Sequence, residues 1–244
     1  MNGVDTMTEN SCQYAEEPCT RKVPIFASLS DEDLAKVSAM IRHRKYEKGE
    51  ALILEEQPSD TLFIIKQGHV KLLKMTPQGK EQILHILSNG DFFGELNIFN
   101  SDELSNFSAY ALKKTDICMF TKDDMEHLVR SNPDISLKLL KTVTKRLAHT
   151  ENLAQSLATK DPEIRIAYMI LELGNKYGKP AQGAQGRIKV ELPLSREEMA
   201  NYVGVTRETI SRKFSKFERL GIIEIKGTRE ITIRNMQKLN EYID

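Results

Sequence analysis

The sequence predicts an α+β fold: an N-terminal antiparallel β-barrel or jelly roll, a long helix, and a C-terminal winged helix-turn-helix. Three observations carry this expectation. From about His43 to Phe120 the apolar residues come in short runs divided by turn-forming clusters. After Pro133 they recur at helical steps of three and four. Between Ser195 and Phe217 two capped helical patterns flank Gly204, and two short strands follow.

At 244 residues the chain is long enough for two ordinary domains, each with its own core. Its 35 Lys and Arg balance 35 Asp and Glu, so bulk composition announces no polyanionic partner. The balance conceals a local bias, because the window from Arg207 to Arg219 sets Arg207, Arg212, Lys213, Lys216 and Arg219 against only Glu208 and Glu218. No apolar run approaches the roughly 20 residues that span a bilayer. The polar N-terminus, with Glu9, Glu16 and Glu17, is unlike a signal peptide, so a cytoplasmic protein with no membrane partner is expected. Three cysteines, Cys12, Cys19 and Cys118, are too few and too odd in number for a secreted disulfide framework.

Residues 1–22 lack periodicity and read as a flexible arm bearing Cys12 and Cys19. Residues 23–121 form the barrel domain. They open with a helix that Ser30 can cap ahead of Asp31, Glu32 and Asp33. The apolar runs ALIL, TLFII, HVKLL, QILHIL, DFFGELNIF, FSAYAL and DICMF follow, separated by clusters such as Lys48-Gly49, Gln67-Gly68 and Asn89-Gly90-Asp91. Such a barrel either encloses a small ligand or is filled by its own side chains. Residues 122–160 are helical. Within them Leu140, Val143, Leu147, Thr150, Ala154 and Leu157 trace the seam of a two-stranded coiled coil, although a helix lying on its own barrel also needs an apolar stripe. Asp161-Pro162 then ends or bends the helix and marks the boundary of the last domain, residues 161–244. There an amphipathic helix through Ile164, Ala167 and Leu171 precedes a surface loop from Gly178 to Gly186.

The stretch SREEMANYVGVTRETISRKFSKF carries the chemistry. Ser195 with Glu198 makes a capping box, Gly204 breaks the first helix, and Thr206 can cap a second. In that second helix Val205, Thr209, Ile210, Phe214 and Phe217 point inward. Arg207, Glu208, Ser211, Arg212, Lys213 and Lys216 are left outside. Arginine can pair with guanine in the major groove, glutamate can accept from cytosine, and lysine can neutralise phosphate. The runs IIEIKG and EITIR, joined through Lys226-Gly227-Thr228, read as a hairpin wing that places Lys226 near phosphate.

A barrel, a long dimer helix and a winged helix-turn-helix in this order resemble the family of the cyclic-AMP receptor protein and the fumarate and nitrate reduction regulator (Crp/Fnr). VPIF with LSDEDL, GDFFGELNIF and VTRETISR carry the resemblance, which runs from about Val23 to the C-terminus. It implies a cyclic-nucleotide-binding-like sensor domain and a homodimer on double-stranded DNA, with RNA polymerase as a further partner. Base contacts fall to Arg207, Glu208, Ser211 and Arg212, on an inverted repeat close to TGTGA and TCACA with some tolerance toward TTGAT. Phosphate contacts fall to Ser195, Thr206 and Lys226, beside Lys213 and Lys216 from the charge pattern.

For the effector, the resemblance is mostly negative. Cyclic-AMP binders carry an arginine and a serine where this chain has Phe107 and Ser108. Glu95 remains to accept a ribose hydroxyl. Without the arginine a buried cyclic phosphate lacks its countercharge, and Glu151 beside Thr150 adds negative charge, so cyclic AMP is not the expected ligand. Cys118 lines up with the barrel cysteine that holds an iron–sulfur cluster in the oxygen-responsive branch. The arm here has two cysteines rather than three, so a cluster would need an outside ligand. A disulfide switch joining Cys12 or Cys19 to Cys118 is the simpler redox input, an arrangement that iron-free members from low-GC Gram-positive bacteria resemble. Inert cysteines, a small-molecule ligand in the barrel and constitutive activity stay open. Two rival functions are weighed as well. A cupin-like metalloenzyme would need a close histidine pair that His43, His69 and His85 do not form, and a cyclic-nucleotide signalling module meets the same Phe107.

Overall fold

The computed structural model describes residues 23–27, 29–100, 104–158, 161–181 and 186–243; the side chains of Ser156 and Leu157 lie outside the description. Cys12 and Cys19 also lie outside it. The described residues divide into two compact units, one holding those of 23–74 and 84–147, the other those of 75–83 and 148–243. The division falls inside the long helix, between Leu147 and Ala148, and the tip of one hairpin groups with the second unit.

In the first unit, Ser30 caps α1 (Asp31–Met40), its hydroxyl accepting from Asp33 N at 3.2 Å. The strand region folds as a jelly roll of two four-stranded antiparallel sheets, and neither sheet closes into a barrel. One sheet orders β1 (Arg42–Tyr46), β8 (Thr115–Thr121), β3 (Thr61–Gln67) and β6 (Phe92–Phe93). The other orders β2 (Ala51–Ile53), β7 (Ser108–Ala111), β4 (His69–Met75) and β5 (Glu81–Ser88). Successive side chains of a strand point to opposite faces, and β3 uses both. Phe63 and Ile65 enter the core between the sheets with Tyr46, Val70, Leu72 and Phe107. Leu62 and Ile64 face a second core with Val37 of α1, Met125 and Leu128 of α3 (Lys122–Ser131), and Ile135 and Leu139 of α4 (Pro133–Ala158).

DFFGELNIF, expected as one strand, breaks at Gly94. This residue takes φ +93 and starts the short helix α2 (Glu95–Phe99). A side chain there would be strained by the left-handed backbone and would place Cβ 2.4 Å from the Thr61 carbonyl oxygen.

In the second unit, Asp161 caps α5 (Pro162–Tyr177), accepting from Glu163 N at 2.7 Å, with Pro162 in the first turn. The expected loop after α5 contains a strand, β9 (Gly178–Pro180), and the expected two-stranded wing is part of a four-stranded sheet. Its order is β11 (Ile223–Lys226), β12 (Glu230–Ile233), β10 (Ile188–Glu191) and β9. β9 and β10 were hidden from pattern reading because both are short and only Val190 among them is buried. A last helix, α8 (Met236–Asn240), buries Leu239. No helix among the described residues is long and apolar enough to cross a membrane.

Gly94→Ala should lower the melting temperature, with backbone strain alone costing about 1–3 kcal/mol. Unchanged stability in a thermal melt would show that the β6–α2 junction tolerates an ordinary backbone.

Candidate nucleic-acid interface

Two short helices build the site. α6 (Arg196–Val203) begins at Ser195, where the capping box closes in both directions: Glu198 N donates to Ser195 Oγ at 3.3 Å, and Ser195 N donates to Glu198 Oε2 at 2.7 Å. It ends at Gly204 in the left-handed conformation, φ 72, whose N–H returns to Ala200 O. The Arg165 guanidinium of α5 donates to the Val203 carbonyl at 3.1 Å, satisfying an acceptor that the helix end leaves over. Thr206 then caps α7 (Arg207–Arg219), accepting from Thr209 N at 3.2 Å.

Burial fixes how α7 is rotated. Ile210, Phe214 and Phe217 are at most 1% exposed, and the Arg196 guanidinium lies 3.9 Å from the centre of the Phe214 ring. Val205 and Thr209, also expected inside, are half-buried at the edge of this contact. Arg207, Glu208, Ser211 and Arg212 are all exposed, on the side of α7 away from the phenylalanines. Their mutual bonds are weak and local: Arg212 lies 4.0 Å from Glu208 one turn earlier, and Ser211 Oγ donates to Arg207 O at 3.1 Å. Guanidinium, carboxylate and hydroxyl groups thus stand on one helical face, held by an apolar underside.

The candidate phosphate residues fare differently. Thr206 and Lys226 are exposed, whereas Ser195 is half-buried with its hydroxyl committed to the capping box. Lys213 and Lys216 turn along the flank of α7 and pair with Glu163 of α5. Sequence reasoning missed two groups here. One is Glu163 itself. The other is the trio His149, Glu172 and Tyr202, in which Tyr202 OH donates to Glu172 Oε2 at 2.6 Å and His149 Nε2 lies 2.7 Å from Glu172 Oε1. Burial, then the Glu172 charge, pushes the Tyr202 phenol far up, so it serves as a donor only. Nothing in the local sequence links residues so far apart.

Two family models match the chain. The cyclic nucleotide-binding domain covers residues 43–132 and the Crp-like helix-turn-helix domain covers residues 164–242. A CRP-like cAMP-activated global transcriptional regulator of Mycobacterium tuberculosis is 29% identical over 88% of this chain and 94% of its own length. The transcriptional regulator flp of Lacticaseibacillus casei is 28% identical over 92% of this chain and 97% of its own. The structure of FixK2 from Bradyrhizobium japonicum superposes with a TM-score of 0.73 at 26% identity, covering 84% of this chain and 98% of that one. The chain belongs to the Crp/Fnr family of transcriptional regulators. Like its relatives it is a DNA-binding regulator rather than an enzyme.

In this Crp/Fnr chain the positions expected to line an effector pocket serve the fold. Phe107 is 6% exposed and meets the Phe93 ring edge-on, while Phe93 stacks on Phe63 with ring centres 4.9 Å apart. Ser108 Oγ accepts from Glu55 N at 2.9 Å. Glu95, 7% exposed, accepts from Arg146 Nη1 of α4 at 2.8 Å. Thr150 is exposed on α4.

The remaining sensor candidate is Cys118. It is 1% exposed, opposite His43 across the β1–β8 ladder, with Sγ 3.6 Å from His43 Nδ1. Burial pushes its thiol up to about 11, and burial with the Lys66 charge pushes the imidazole down, so neutral pH finds a thiol beside a neutral ring. Among the described residues no three His, Cys, Asp or Glu side chains gather to hold a metal ion. Cys118 is the one cysteine among the described residues, and a cluster, which takes about four ligands, would need others beside it. Alkylation of the native protein at pH 8, followed by peptide mass mapping, should leave Cys118 unmodified until the pH approaches about 11. Labelling at the rate of the unfolded chain would refute its protection.

Proposed function

We propose that the chain acts as a homodimer that reads an inverted repeat close to TGTGA and TCACA. The observation that carries this reading is the exposed row Arg207, Glu208, Ser211 and Arg212 on a helix whose other side is buried. Arg212 pairs with guanine, Glu208 accepts from a cytosine amino group, Arg207 and Ser211 complete the base contacts, and Thr206, Ser195 and Lys226 meet phosphate. To meet phosphate the Ser195 hydroxyl turns its proton away from Glu198 Oε2 while still accepting from Glu198 N.

Dimerisation is supported by a second face of α4. Ile135, Leu139 and Leu153 are buried within the protomer, whereas Leu137, Leu140 and Leu147 are 56%, 64% and 58% exposed, with Val143 beside them. Thr150 and Ala154 continue that exposed face. An apolar stripe of this kind fits a coiled coil with a second copy, which would hold two reading helices about one duplex turn, roughly 34 Å, apart. RNA polymerase is the further partner if the protein activates transcription.

The signal is read less directly. The buried Phe107 at the position where an arginine was expected for a cyclic phosphate, and the commitment of Arg146 to the Glu95 carboxylate, support a ligand other than cyclic AMP. Redox control through Cys118 with Cys12 or Cys19 requires the core around Cys118 to open first, since the thiol is buried and the thiolate is the reacting form.

Arg212→Ala should lose about 1–3 kcal/mol of discrimination for the TGTGA duplex over random duplex, measured by fluorescence anisotropy. Equal losses on both duplexes would remove Arg212 from the base-reading set. Leu140→Glu with Leu147→Glu should sediment as a monomer and lose operator binding; a dimer of unchanged affinity would place the interface elsewhere.

A further inference from the structure

Glu163 stands in the first turn of α5, directly after Pro162, and its side chain is only 13% exposed because it lies against α7. Its Oε1 accepts from Lys213 Nζ and, at 2.7 Å, from Lys216 Nζ, which also reaches Oε2 at 2.6 Å. The two lysines are neighbours on the flank of α7, three residues apart, and Arg212 directly precedes the first. The hydrogen bonds from Lys213 and Lys216 hold the Glu163 carboxyl below the usual carboxylate range, so it stays ionised at neutral pH. An anion collecting two ammonium groups on a reading helix makes the contact that a DNA phosphate would otherwise make.

We propose that Glu163 is a specificity-determining residue that occupies Lys213 and Lys216 in place of phosphate, lowering sequence-independent affinity while Arg207, Glu208, Ser211 and Arg212 read bases unhindered. The inference rests on DNA reading by α7 and replaces the expectation that both lysines grip the backbone. Its physical basis is the split between the two parts of DNA binding. Phosphate contacts supply most non-specific affinity, and useful selectivity is the ratio of specific to non-specific binding. Withdrawing cations from the first part raises that ratio without any new base contact. A carboxylate that merely glues α7 to α5 would look the same in a static structure but behave oppositely in titration.

The test is anisotropy titration of the full chain against a random duplex and a TGTGA/TCACA duplex between about 50 and 200 mM salt, a range over which phosphate contacts dominate the salt response. Each added phosphate contact steepens the slope of log K against log salt by about 0.9. Glu163→Gln should therefore bind random duplex more tightly, with a slope steeper by between about 0.9 and 1.8, and lose about 3- to 12-fold more affinity than the parent across the range. Its operator-to-random ratio should fall. Lys213→Gln with Lys216→Gln should keep the parental slope, and adding Glu163→Gln to that pair should still keep it. An unchanged slope in Glu163→Gln overturns the proposal. So does a steeper slope that persists in the triple variant, which would trace to lost repulsion by the carboxylate itself, and so does weaker binding of Glu163→Gln to both duplexes, which would make it a positioning residue. Thermal melts establish that each variant is folded. Failure of the DNA reading would show separately, as a parent protein without preference for the TGTGA duplex.

Discussion

Burial of Ile210, Phe214 and Phe217 decides which groups the protein can offer to a partner. A helix has no front of its own; its rotation is set by whichever side chains leave water, and two phenylalanines and an isoleucine outweigh any preference among charged residues. Arg196 over the Phe214 ring adds a contact between the start of α6 and the middle of α7. The Arg165 bond to the end of α6 ties both helices to α5. Once these contacts exist, Arg207, Glu208, Ser211 and Arg212 have nowhere to go but outward.

The long helix α4 shows the same logic with two stripes. Ile135, Leu139, Thr142, Arg146, His149 and Leu153 follow steps of three and four and turn inward to varying degrees. Leu140, Val143, Leu147, Thr150 and Ala154 follow the same steps and stay outside. The inner stripe carries polar residues because its partners are polar. Arg146 meets the Glu95 carboxylate and His149 meets Glu172 and Tyr202. Buried charges and hydroxyls are tolerable only when paired in this way. The outer stripe is apolar at Leu140, Val143 and Leu147, and these side chains lie exposed.

The core between the two sheets of the jelly roll is rich in aromatic rings. Phe63, Phe93 and Phe107 pack together between the two sheets, and Arg146 pairs with the Glu95 carboxylate. The Phe93 ring stacks on Phe63 and meets Phe107 edge-on, so the three rings form one cluster between the sheets. Cys118 sits in the neighbouring core on the other side of β8, sealed against His43.

Sequence alone was enough for whatever rests on local chemistry. Ser30, Ser195 and Thr206 announce helix starts through hydroxyls that accept from backbone amides three residues on, Gly204 announces an end, and the three- and four-step recurrence of Ile210, Phe214 and Phe217 gives the inner side of α7. Nearest-neighbour geometry does not depend on the rest of the molecule. Tertiary structure decided everything set by distant partners. Gly94 turns DFFGELNIF because of a left-handed backbone pressed on Thr61, and β10 becomes a strand by pairing with β12 while β9 becomes one by pairing with β10. Lys213 and Lys216 pair with Glu163, 50 and 53 residues away, a partner that no local pattern announces. A pattern of residues shows which side chains are charged; only the folded chain brings the counter-ion, since Coulomb attraction depends on separation in space and not along the sequence.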